Sequence, residues 1–196
     1  MEGTYASGID SDFKFEHTPL EGVFLITPFA RYDNRGCFIK DFNDKVFSDN
    51  GIEYTILEVF YSFSVKNTVR GLHFQREKQM PKLVRCLHGS IFDVAVDLRA
   101  DSPSFANSFS IELSEYNNKA LLVPKGCAHG FFTLSDALVS YKCAERFIPE
   151  TDDGIRWDDP DLGICWPVTD DTEIVISDKD AGLQSFNDFI RKFGSL

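Results

Sequence analysis

Polar and apolar residues alternate in short runs along most of this chain. Between positions 91 and 98, Phe92, Val94, Val96 and Leu98 fall on one side, and Asp93 and Asp97 on the other with Ile91 and Ala95. Side chains of a strand point to opposite faces in turn, so this period predicts a strand. Comparable runs fall at 23–26, 37–39, 55–64, 71–75, 82–87, 109–113, 120–123, 131–134, 137–143 and 173–176. Turn-forming groups separate them: Asp33-Asn34-Arg35-Gly36, His88-Gly89, Asp101-Ser102-Pro103 and Pro124-Lys125-Gly126. Many short strands with no long helix between them predict an all-β sandwich or barrel. If the strands close into a barrel, the Asp93 face is either the cavity or the outside, and the period leaves both open.

One stretch changes period. Leu183, Phe186, Phe189, Ile190 and Phe193 lie three or four apart, which predicts a helix over 181–194 capping the β body. A shorter helix is expected over 44–49. There is no internal repeat, low-complexity tract or linker, so residues 1–196 are expected to form one domain. The polar first 20 residues are expected to form a loosely held arm.

Composition narrows the class. Of 196 residues, 43% are hydrophobic and 26% charged, which excludes disordered, collagen-like and coiled-coil chains. No apolar run reaches the roughly 18 residues of a membrane-spanning helix, and the N-terminus lacks the pattern of a secretory signal. The net charge of −11 repels nucleic acid and anionic membrane, so neither is an expected partner. Cys37, Cys86, Cys127, Cys143 and Cys165 show no CxxC spacing and read as reduced thiols of a cytoplasmic protein.

The chain has four histidines. His17 and His88 sit in polar or turn-like surroundings and read as surface residues. His73 and His129 sit among strand formers, where each serves either as a hydrogen-bonded structural group or as a proton carrier. There is no His-x-His pair, and the spacing of His73, His88 and His129 does not demand a zinc site, so no metal is expected. The phosphate loops GxGxxG and GxxxxGK[ST] and the nucleophile elbow GxSxG are all absent.

Several segments carry a resemblance. Arg70-Gly71-Leu72-His73-Phe74-Gln75, Lys82-Leu83-Val84 and Phe92-Asp93-Val94-Ala95-Val96-Asp97 are followed by Ser102-Pro103-Ser104-Phe105. Val123-Pro124-Lys125-Gly126, Ala128-His129-Gly130-Phe131 and Tyr141-Lys142 come next. Gly154-Ile155, Trp157-Asp158-Asp159-Pro160, Trp166-Pro167 and Ser177-Asp178-Lys179-Asp180 complete the set. In this order, over about residues 20 to 181, they resemble the nucleotide-sugar 3,5-epimerases of the dTDP-4-dehydrorhamnose 3,5-epimerase type. The resemblance implies a cupin-type jelly roll, a homodimer, and catalysis without metal or organic cofactor. The implied substrate is a nucleoside diphosphate 4-keto-6-deoxy sugar, whose C4 ketone acidifies the hydrogens on C3 and C5.

The same resemblance implies roles. His73 is the base, paired with Asp180, and Lys82 faces the C4 oxygen where negative charge develops. Tyr141 is the acid on the opposite face. His129 and Asp93 form a second, supporting pair, and Arg70 meets the diphosphate. Gln75, Arg35, Phe38, Lys40, Glu58, Phe147 and Lys179 are implied around the substrate. Taken singly, Lys82 also reads as a surface lysine, Tyr141 as a half-buried strand aromatic, and Asp180 as a helix N-cap.

The nucleotide end departs from the family pattern. Lys40 stands where thymidine enzymes commonly carry Glu, and Glu58 and Phe60 stand for a common Gln and Asn. Met80-Pro81 replaces a common Gln-Gly. These changes keep three alternatives open: a cytidine-linked sugar, a 3-deoxy sugar inverted at one centre, and a catalytically idle sugar-nucleotide binder.

Overall fold

A computed structural model describes residues 12–196 of the chain. The fold is built from two antiparallel sheets that face each other. The first has six strands: β1 (Lys14–His17), β2 (Phe24–Thr27), β5 (Glu58–Ser64), β7 (Lys82–His88), β10 (Ala120–Val123) and β12 (Ala137–Cys143), in the order β1-β2-β10-β7-β12-β5. The second has five: β6 (Val69–Gln75), β8 (Ser90–Asp97), β9 (Ser108–Ser114), β11 (Cys127–Thr133) and β13 (Asp152–Gly154), in the order β13-β6-β11-β8-β9. Strands β3 (Phe29–Asp33) and β4 (Gly36–Lys40) form a separate hairpin. This is the strand-rich, antiparallel architecture expected from the alternating pattern, and the jelly roll that the resemblance implies.

Three apolar layers hold the sheets. Val84, Cys86, Ile91, Ala95, Leu121, Phe131 and Val139 fill the space between them. Ile26, Phe29, Phe47, Ile52 and Leu83 pack on the outer side of the six-stranded sheet, beneath helix α1 (Asp44–Asp49). Leu72, Phe74, Val94, Val96 and Leu98 pack outside the five-stranded sheet, beneath Phe186 and Phe189 of helix α3 (Phe186–Phe193). The face left open by the sequence is thereby assigned. The Val94–Val96 face of β8 points outward under α3, and the face carrying Asp93, Ile91 and Ala95 points into the barrel.

Some expectations are corrected. Residues 1–11 of the expected arm lie outside the described residues, while Lys14–His17 pair in register with Thr27–Phe24 as an edge strand. The helix expected over 181–194 is two helices, α2 (Asp178–Ala181) and α3. Gly182 ends the first, Gln184 is drawn into a bridge with Ile155, and Ser185 caps the second by accepting from the Asp188 amide. Apolar period alone continues across such a break, because Leu183 packs inward beside Gly154. The strand expected over 173–176 is a single bridge between Val175 and Thr68. Strands β1, β3 and β13 were not anticipated.

One end of the barrel is closed by a buried carboxylate. Asp97 is fully buried and accepts from the Arg99 guanidinium (2.7 and 2.8 Å) and from the hydroxyls of Ser102 and Ser104. Burial alone raises a carboxyl, but these donors outweigh it and bring Asp97 down to about 2. A depressed carboxylate stabilises the fold above its unfolded pKa of about 3.9, and that contribution is lost as pH falls through the folded value. The difference corresponds to about 2.6 kcal/mol. Asp97→Asn is therefore expected to lower unfolding free energy at pH 7 by about 2–4 kcal/mol. The gap from wild type should shrink between roughly pH 4 and pH 2. Urea titrations at both ends of that window check this, and a pH-independent difference would refute the assignment.

Candidate active site

Between the sheets opens a cavity of about 610 Å³. Glu58, Phe60, Ser62, Arg70, His73, Met80, Lys82, His129, Phe131, Tyr141, Phe147 and Asp152 line it. The period of two selects many of them. Glu58, Phe60 and Ser62 share one face of β5, and His129 and Phe131 one face of β11.

The two histidines are brought together by a close approach of backbones. His73 of β6 lies opposite His129 of β11, and the register slips just after His129. Gly71 has φ +118°, and a Cβ there would stand 2.6 Å from the Gly130 Cα. A Cβ on Gly130 would stand 2.6 Å from the Arg70 carbonyl oxygen. Only glycine fits at either position, which accounts for the Gly in Arg70-Gly71-Leu72-His73.

Each histidine meets a carboxylate. His73 Nε2 lies 2.8 Å from Asp180 Oδ1, and the Gly71 amide donates to Asp180 Oδ2 (3.0 Å). Burial works to raise Asp180, but the hydrogen bonds from His73 and Gly71 hold it below the usual carboxylate range. An ionised carboxylate only accepts, so His73 Nε2 carries the proton and donates, and the lone pair rests on Nδ1. Asp180 is not an N-cap. Ser177 caps α2, and Asp180 sits within the turn with its side chain aimed at the sheet. His129 Nε2 lies 2.8 Å from Asp93 Oδ1, and both residues are buried. Burial holds the His129 imidazole below its usual range, against the pull of Asp93. Asp93 does not line the cavity; it stands behind His129, with Oδ2 unpartnered among the described residues.

Lys82 and Tyr141 complete the inner wall. Lys82 is 7% exposed, and its ammonium has no hydrogen bond or ion pair among the described residues. Its burial pushes the ammonium below its usual range. Tyr141 is also buried, its hydroxyl 3.2 Å from Ser62 Oγ, its ring stacked on Phe60 and edge-on to His129. Burial pushes its phenol well above its usual range, so it stays protonated as a donor.

The remaining sequence candidates divide. Arg70 lines the mouth, donating Nε to Ser64 Oγ (2.8 Å) and leaving Nη1 without a partner among the described residues. Glu58 accepts from the Phe147 amide (3.0 Å), which sets that half-exposed ring at the rim. Lys179 does not reach the cavity wall; it pairs with Asp152, which does. Gln75 is turned away from substrate space. Its amide donates to the carbonyls of Lys78 and Arg146 and accepts from the Ile148 amide, tying down the loop after β12. Arg35, Phe38 and Lys40 lie on the β3–β4 hairpin and line no part of this cavity within one chain; Arg35 pairs with Asp33 at the tip. Sequence reasoning missed Asp152 and Phe131. Alternation from His129 points to Phe131, but no local signal marks Asp152. Among the described residues, no group of three or more His, Cys, Asp and Glu side chains is arranged to hold a metal.

The arrangement offers an imidazole base oriented by a carboxylate, a desolvated ammonium, and a protonated phenol around one enclosed space. That set suits proton removal beside a carbonyl, charge on its oxygen, and proton return.

Comparison with known proteins points the same way. The sequence profile of the dTDP-4-dehydrorhamnose 3,5-epimerase family matches residues 17–188. The dTDP-4-dehydrorhamnose 3,5-epimerase of Methanothermobacter thermautotrophicus is 46% identical over 171 residues, 87% of this chain and 92% of that protein. A Legionella pneumophila dTDP-6-deoxy-D-glucose-3,5-epimerase, solved with dTDP-4-keto-L-rhamnose, superposes with TM-score 0.85 at 36% identity. That match covers 89% of this chain and 93% of that one. A 3'-monoepimerase from Streptomyces bikiniensis, solved with dTDP-quinovose, superposes with TM-score 0.83 at 28% identity, covering 89% of each chain.

Proposed function

This chain belongs to the dTDP-4-dehydrorhamnose 3,5-epimerase family, and we propose on that premise that it inverts C3 and C5 of a dTDP-linked 4-keto-6-deoxy sugar. The observation that carries the reading is the His73–Asp180 pair facing the same cavity as Lys82 and Tyr141.

In this mechanism Nδ1 of His73 takes the proton from C5 or C3. Asp180 holds the ring and stabilises the imidazolium that forms. The electron pair moves onto the C4 oxygen, where the Lys82 ammonium meets it in a site poor in water. Tyr141 delivers a proton to the opposite face of the carbon. The resulting phenolate regains a proton from solvent and the imidazolium returns one, so the enzyme resets with no net change. His129, backed by Asp93, positions the sugar. Arg70 meets the diphosphate with its free guanidinium edge, and Phe147, set by Glu58, offers a stacking surface at the mouth. Glu58, Lys40, Arg35, Phe38 and Lys179 remain with the nucleotide end in this reading.

The chemistry needs no cofactor in this scheme. We also read the protein as a homodimer that works in the cytoplasm. Among the described residues, strand β5 has no neighbour on its outer edge, and Val59, Tyr61 and Phe63 are exposed along it, with Tyr32 and Phe38 exposed on the hairpin. An apolar unpaired edge favours a second copy of the chain. No described helix is long and apolar enough to cross a membrane.

Solvent labelling tests the function. Incubation in D2O with dTDP-4-keto-6-deoxyglucose is expected to place one deuteron each at C3 and C5, read by mass and proton NMR. Turnover of the CDP-linked sugar alone would overturn the thymidine assignment. A single deuteron would reduce the enzyme to one centre, and no exchange with either sugar would leave a binder.

A further inference from the structure

The phenol of Tyr141 is boxed by three groups from two strands, β5 and β11. Ser62 Oγ meets its hydroxyl at 3.2 Å, and the His129 ring meets it edge-on at 6.2 Å and 84°. Phe60 lies flat against it, with ring centroids 4.9 Å apart and planes 24° from parallel. Phe60 and Tyr141 are direct cross-strand partners of β5 and β12, so the backbone register itself enforces the contact. Their exposures differ sharply: Phe60 is 36% exposed and Tyr141 8%. Phe60 is thus the cover that separates the phenol from water on that side. It forms no part of the proton-carrying set, and its ring has no polar atom to offer substrate.

The enolate formed in the scheme above has two fates. A proton returned from the His73 face restores the starting configuration, and a proton from the Tyr141 hydroxyl inverts it. In the second fate the phenolic O–H bond breaks as the new C–H bond forms, and solvent reprotonates the phenolate. The partition depends on how much of the time the phenol points at the carbon. A tyrosine has two side-chain torsions to settle, and the offset stack removes alternatives for the ring plane.

We propose that Phe60 is a positioning residue that holds Tyr141 over the substrate and thereby sets the ratio of inversion to simple exchange at C5. This inference rests on the epimerase reading given above. A flat aromatic partner biases ring orientation by about two- to tenfold.

The test uses the full-length protein with Phe60→Leu, which keeps an apolar side chain but loses the flat face, and Phe60→Tyr, which keeps it. In D2O the C5 inversion-to-exchange ratio should fall about two- to tenfold in Phe60→Leu and stay at the wild-type value in Phe60→Tyr. An unchanged ratio in Phe60→Leu, or inversion and exchange falling together, would overturn the proposal. A second readout needs no substrate. With 13Cζ-labelled tyrosine, the Tyr141 phenol should titrate at lower pH in Phe60→Leu than in wild type or Phe60→Tyr, because water reaches the ring. Identical titrations in all three proteins overturn the positioning role. A wild type that neither exchanges nor inverts, but whose Tyr141 titration responds to Phe60→Leu, would sink the function and leave the stack standing.

Discussion

Turnover is expected to fall by about 10²–10⁴-fold when His73 is replaced by asparagine, and deuterium exchange at both carbons should fall with it. The His73 imidazole lines the cavity with its proton and its lone pair already assigned to different nitrogens. Asp180 accepts from Nε2, so Nδ1 is left basic and aimed away from the carboxylate. Asparagine fills much of the same space and can still donate to Asp180, but its amide does not accept a proton near neutral pH. The fold should therefore survive while the chemistry stops. A companion change sharpens the point. Asp180→Asn leaves an amide opposite Nε2, able to offer N–H instead of accepting, and stabilises the wrong tautomer of His73. It also removes the charge that steadies the imidazolium. Both variants should bind the sugar nucleotide with little loss of affinity, because neither touches Arg70 or the mouth. Isotope exchange and ligand titration on each variant give the check. More than a tenth of wild-type exchange in His73→Asn would end the assignment of His73 as the base.

The second large effect has opposite signs in two measurements. Lys82→Met is expected to reduce kcat/KM by about 10²–10⁴-fold and at the same time to raise the stability of the empty protein. Lys82 is 7% exposed, and burial alone accounts for the lowering of its pKa. No carboxylate or carbonyl among the described residues meets it, although Asp152 and Asp93 act on it from a distance. A buried cation without a direct partner costs free energy that a methionine of similar length does not. Replacing buried charges by apolar groups of like size has gained about 1–4 kcal/mol elsewhere, which for a chain of this length is several degrees in Tm. That cost is sensible only if the ammonium is held in readiness for charge that arrives with the substrate. Thermal unfolding and steady-state kinetics on the same preparation test both halves. A variant that lost activity and stability together would make Lys82 a structural residue, and one that kept activity would remove it from the enolate.

Some of this was legible in the residues. The period of two placed most strands to within a few positions, because side chains alternate along a pleated strand whatever sheet it joins. The helical period found α3 for the same reason. Strands β1, β3 and β13 escaped because each is short or half-exposed, and a partner strand rather than its own pattern recruits it. Within the site, the resemblance named His73, Lys82 and Tyr141, which the structure brings to one cavity, and Asp180, which it sets behind His73. Gln75 went the other way, since its neighbours in sequence say nothing of the Arg146 and Ile148 backbone it holds.

The alternating faces, the turn glycines and the inventory of proton carriers are written along the chain itself. All of these depend on residues within a few positions of one another. Which face of β8 looks inward is a matter of long-range packing, since an apolar face is satisfied equally by a barrel interior or by an overlying helix. It took the Phe186–Phe189 layer to cover Val94 and Val96 outside, and so to turn Asp93 toward His129. The same holds for His73 and Asp180. They lie far apart along the chain, and their 2.8 Å contact depends on the Gly71–Gly130 approach and on the turn that Ser177 caps. Distance in space between such groups is set by sheet closure, which no local pattern encodes.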